Sequence, residues 1–153
     1  MNGWLACAAA LLGIGAPLVL WGVVAGSTDR RILAQNAGGT VVALALLLMA
    51  QGYARPSYVD LALVLALLGP AGTLVCVRLL ADDLEPGAPR GSTVVTYACV
   101  AASAAVTVAV CAAATPGRST VKTAVIGVLV AAGNVVASRS LSVGVVDEAD
   151  ADE

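Results

Sequence analysis

The 153-residue chain has no histidine, and only 12% of its residues carry charge. Without imidazole there is no His-ligated metal centre, no histidine general base and no Ser-His-Asp triad. The four cysteines do not fill the gap. Cys7, Cys76, Cys99 and Cys111 each lie inside an apolar run and show no paired metal-ligand spacing, so they read as small apolar fillers. No glycine-rich loop followed by Lys-Ser or Lys-Thr occurs, so nothing points to nucleotide use. The expectation is a protein that is not an enzyme, with no cofactor, no metal and no nucleic-acid partner.

What the chain has instead is apolar surface, 59% of its residues being hydrophobic. That balance is far from a soluble domain and sets the class as a bilayer protein. A run of about 20 apolar residues spans a hydrocarbon core roughly 30 Å thick, because a helix rises about 1.5 Å per residue. Five such runs are visible, near Gly3 to Ala25, Ile32 to Gly52, Val59 to Leu80, Thr93 to Ala114 and Val121 to Ala137. Backbone polar groups in lipid must be satisfied within the segment, which at these lengths means helices. The fold class is therefore an all-α polytopic membrane protein of about five transmembrane helices.

Composition divides the chain further. Residues 1–80 hold three spans, 81–92 (with the Pro- and Gly-containing stretch LEPGAPRG) read as a linker, 93–140 hold two more spans, and 141–153 form an acidic tail. Five acids crowd into the last seven residues, where they repel one another and offer no apolar face. Basic residues set the orientation. Arg30, Arg31, Arg78, Arg90 and Arg139 fall on one side of the five spans, and Arg55, Arg118 and Lys122 on the other. This count predicts an external N-terminus and a cytoplasmic C-terminus. Trp4 and Trp21 stand about 25 Å apart along the first helix, a spacing that seats one ring at each interface. Gly22 and Gly26, Gly127 and Ala131, and Gly133 and Ala137 recur at four-residue spacing, which lets neighbouring backbones approach, within this chain or against another subunit.

Few polar groups remain in the spans. Asp29, Arg30 and Arg31 occupy a tight turn where the acid complements a helix N-terminus and the arginines anchor to the cytoplasmic face. Gln35, Asn36, Gln51 and Asn134 carry amides able to hydrogen-bond across helices, with a direct place in an ion path as the second reading. Lys122 lies near a helix end and can extend its ammonium to water. Asp60 is the sole acid inside a strongly apolar stretch, and two readings compete for it. Ser57, three residues earlier, gives capping-box spacing, with Ser57 capping the third span and Asp60 accepting from backbone amides. Otherwise Asp60 faces a wet cavity or a cationic partner and belongs to a proton or cation route. A carboxylate at mid-bilayer would cost about 2.5–3.5 kcal/mol on insertion scales, less toward the ends, where Asp60 lies.

Over the first 80 or so residues, the order of these features resembles the F subunit of the multisubunit Mrp-type monovalent cation/proton antiporters. An Asp-Arg pair opens the second span (Asp29, Arg30), a Tyr-x-Asp-x-Ala-Leu-Val pattern opens the third (Tyr58, Asp60, Ala62, Leu63, Val64), and Gly72, Thr73 and Arg78 close it. Where members of that family often carry an acid in the second span, this chain has Gln35, which cannot exchange protons. The resemblance implies an accessory subunit of a sodium/proton antiporter in the bacterial cell (inner) membrane, packed against other membrane subunits and contacting sodium ions and protons only through the complex. In it Asp60 and Gln35 would be the candidates for lining a passage, with Asp29, Arg30 and Ser57 as turn and anchor residues. A purely structural membrane scaffold with no ion contact is the alternative. The fourth and fifth spans lie outside the resemblance and read as a two-span C-terminal extension.

Overall fold

A computed structural model of the chain describes residues 2–80, 92–113 and 118–143. The described residues form α1 (Gly3–Ala25), α2 (Thr28–Tyr53), α3 (Ser57–Leu79), α4 (Ser92–Ala113) and α5 (Arg118–Val143), with no strand among them. All five are long and apolar enough to cross a membrane. The five expected spans are thus present. α5 continues six residues beyond Ala137, the limit that hydrophobicity alone suggested. Most of the linker and nearly all of the acidic tail lie outside the described residues.

Consecutive helices run back and forth. The α1–α2 turn is tight, with Arg31 Nε donating to the Gly26 carbonyl at 3.0 Å. At the far end of that hairpin, the Asn2 side-chain amide donates to the Gly52 carbonyl at 3.3 Å. α2 ends on Ala54, whose φ of 52° is left-handed, while the amides of Ala54 and Arg55 return to the carbonyls of Gln51 and Ala50. Those bonds satisfy carbonyls that the helix end would otherwise leave open and reverse the chain within three residues. Tyr53 and Tyr58 flank this turn with ring centroids 6.0 Å apart.

α2 is the centre of the bundle. Half of its span is buried, against 6% of α1. Its Leu44 and Leu47 pack in one cluster with Val59, Ala62 and Ala66 of α3 and Ile126 and Val130 of α5. Ala8 of α1, Leu48 of α2 and Val110 of α4 form a smaller cluster at the Trp4 end. Lipid tails are as apolar as these side chains, so burial alone does not drive helices together; close packing and interhelical hydrogen bonds must. The small residues supply that packing within the chain. Gly22 lies against Ala34 of α2, and Gly127 receives Thr107 of α4. Gly133 of α5 is seated directly on the Pro70 ring of α3, where a Cβ would collide with it.

The basic residues follow the same alternation. Ile32 and Leu33 pack beside Cys76 and Val77, so Arg30, Arg31 and Arg78 share one end of the bundle. Arg55 and Lys122 lie at the other.

Candidate functional site: a buried amide cluster and a boundary ion pair

A cluster of buried polar side chains comes from helices that are distant in sequence. Asn36 and Thr40 sit one turn apart on α2, 5% and 7% exposed, and Asn134 of α5 is 5% exposed. Asn36 Nδ2 donates to Asn134 Oδ1 at 2.9 Å, and Asn134 Nδ2 donates to Thr40 Oγ1 at 3.0 Å. Asn134 Nδ2 also reaches the Val130 carbonyl at 2.8 Å, and the Thr40 hydroxyl lies 3.2 Å from the Asn36 carbonyl. For Asn36 and Asn134 this is the interhelical bonding expected, now with partners assigned. From the start of α2, Asn36 lies about 12 Å along the axis and Thr40 about 18 Å, which places the cluster well inside the apolar zone. There a missing partner would be costly, and the three side chains supply partners to one another.

What positions the cluster is steric. Gly133 precedes Asn134 and permits α5 to close on Pro70, so that the next side chain enters the bundle between α2 and α3. Pro70 has no amide hydrogen, and it deprives the Ala66 carbonyl of its helical partner at the same level. A cavity of about 10 Å³ lies beside these groups, lined among others by Asn36, Thr40, Ala66, Gly69, Pro70 and Asn134.

Asp60 meets a cationic partner, as its second reading allowed, and not the cap of the first. Its Oδ1 accepts from Lys122 Nζ of α5 at 2.8 Å, with the two side chains 60% and 54% exposed. The capping box does not form. Pro56, with φ −66° and ψ −20°, occupies the N-cap position, and Ser57 is the first helical residue, with no side-chain cap bond at that end. A capping serine needs an extended backbone, and the helical conformation of Pro56 moves the helix start one residue too early for it. Lys122, expected to extend to water, is half-exposed and also pairs with the membrane-boundary acid. Exposed pairs of this kind contribute about 0–1 kcal/mol, so the pair balances charge more than it holds helices together.

Gln35 is exposed and lies on a groove of about 500 Å³ between α2 and α3, which also includes Arg31, Gly39, Gly69 and Thr73. Gln35 therefore faces the end of α3 opposite Asp60. From Asp60 to Thr73 is about 20 Å of helix, so the two passage candidates are not brought together. Asp29 is the second residue of α2. Arg30 is exposed at that end, but the described bond across the turn is made by Arg31. Among the described residues, no three His, Cys, Asp or Glu side chains gather as metal ligands would.

Residues 30–81, which take in α2 from its third residue and all of α3, match the family model described as Multiple resistance and pH regulation protein F (MrpF / PhaF). No curated protein and no solved structure is matched. The resemblance read from the sequence is borne out over that segment; α1, α4 and α5 lie outside it.

Proposed function

We propose, from the match of residues 30–81 to the MrpF/PhaF family model, that this chain is an accessory membrane subunit of a multisubunit Mrp-type sodium/proton antiporter. It packs against the other membrane subunits and lines part of an ion or proton passage. The family match carries this reading, because it covers the helices that bear Gln35, Asn36, Thr40 and Asp60. Five helices fit a multi-pass protein of the bacterial cell membrane. The gathering of Arg30, Arg31 and Arg78 at one end supports a cytoplasmic placement of that end, with the N-terminus outside. α4 and α5 are an extension that completes the bundle in cis.

Asp60 is the acid through which a proton or cation would pass, and Lys122 is its resting counter-ion. A carboxylate held by a single ammonium can exchange it for another cation without desolvating an unpaired charge. The same pair favours the second reading, a scaffold without ion contact, in which Asp60 and Lys122 only neutralise each other. Sodium-dependent proton exchange in membrane vesicles containing the whole complex separates the two. Asp60→Asn is expected to reduce exchange while the complex still assembles. Unchanged exchange with intact assembly removes Asp60 from the passage, and loss of assembly favours the scaffold.

A further inference from the structure

The cavity beside the amide cluster has the size and lining of a binding site. A space of about 10 Å³ is the least that admits a water molecule, and a water needs two to four polar partners to stay there. The lining provides them. Asn36 donates to Asn134, and among the described residues no donor reaches Asn36 Oδ1. That oxygen points toward α3 and lies 3.8 Å from where a Cβ on Gly69 would stand. Ala66, whose carbonyl is left without an amide by Pro70, is among the residues that line the same space. A molecule that bonded to both acceptors would need two donor hydrogens.

Access is also visible. Gly39, Leu65 and Gly69 line both this cavity and the α2–α3 groove that carries Gln35 and Arg31. The two spaces thus lie on either side of one helix crossing, where a Cβ on Gly39 would meet the Gly69 Cα at 3.9 Å.

We propose that the cavity is a binding site for one water molecule, which donates to Asn36 Oδ1 and to the Ala66 carbonyl and is exchanged with the groove across the Gly39–Gly69 crossing. A dehydrated monovalent cation is the weaker occupant, because Asn134 Oδ1 already accepts from Asn36 and no carboxylate lines the space to balance charge. The inference does not depend on the antiporter assignment, since it concerns hydration of this chain alone.

Solid-state NMR of the full chain in phosphatidylcholine vesicles tests it, through magnetisation transfer from water to side-chain amides. Transfer to the Asn36 amide is expected at mixing times comparable to those of exposed Gln35. Gly69→Ala places a methyl group in ordinary contact with Asn36 Oδ1, where the water would sit, so the substitution leaves the fold intact and transfer to Asn36 falls several-fold while that to Gln35 is retained. Asn36 transfer no greater than that of the buried Leu44 backbone amide in the unmodified chain overturns the site. So does a transfer that Gly69→Ala leaves unchanged, or one abolished by sodium chloride but not by choline chloride, which would make the occupant a cation.

Discussion

Asn134 makes the interhelical bonds that the bundle interior depends on, and replacing it should be costly in a way that can be recovered. Asn134→Val removes the bonds to Asn36 and Thr40 and leaves Asn36 Nδ2 facing an isopropyl group. Interhelical hydrogen bonds in membrane proteins average about 0.6 kcal/mol and reach about 1.7, so two of them give roughly 1–3 kcal/mol. Asn36→Val alone costs about half as much, because the Asn134–Thr40 bond survives it. The double replacement leaves no orphaned amide, and apolar substitution of both partners is far cheaper than removal of one. Reversible unfolding of the four proteins in mixed detergent micelles measures the cycle. An interaction energy of at least about 0.5 kcal/mol is expected between the two sites. Strict additivity would refute the pairing of Asn36 with Asn134, and with it the account of α5 as the helix that closes the polar interior.

Two further outcomes follow from geometry. Gly133→Leu drives a side chain into the Pro70 ring and should destabilise the bundle by about 1–3 kcal/mol, with Gly133→Ala costing less; equal stability of all three proteins in the same unfolding assay would show that α5 does not sit on Pro70. In a background lacking the native cysteines, a thiol placed at Ala54 should react with a membrane-impermeant reagent in intact cells, whereas one at Ser27 should react only after permeabilisation. The reverse pattern would invert the orientation.

The spans were legible because hydrophobic length is a local property. Each of the five runs stands between residues that end it, as Gly26 and Ser27 do for α1, so reading along the chain finds them. α2 could not be recognised as the central helix that way. Its apolar residues are not gathered into one stripe, and its burial comes from α1, α3, α4 and α5 closing round it. Asn36 and Asn134 are 98 positions apart, and their contact depends on the rotational phase of two helices, which neither segment encodes alone. Lys122 and Asp60 are likewise 62 apart. Ser57 misled for a local reason: serine three residues before an acid is a capping pattern, but Pro56 is itself compatible with helix and takes the cap position. The residues missed were those whose role is to leave room. Gly39 and Gly69 carry no chemistry of their own, and only the crossing of backbones reveals them; Gly133 was marked by its spacing from Ala137, but not its seat on Pro70.

The separation between Asn36 and Asn134 also sets a clock. A ribosome adds about 5–20 residues per second, so the second amide is made roughly 5–20 s after the first. For that interval α2 is in the membrane with its polar face unmatched, and Asp60 waits a shorter time for Lys122. The nascent protein is therefore most vulnerable before its last helix arrives: a chain stopped after α4 would hold an open amide face that any passing helix with a suitable side chain could claim.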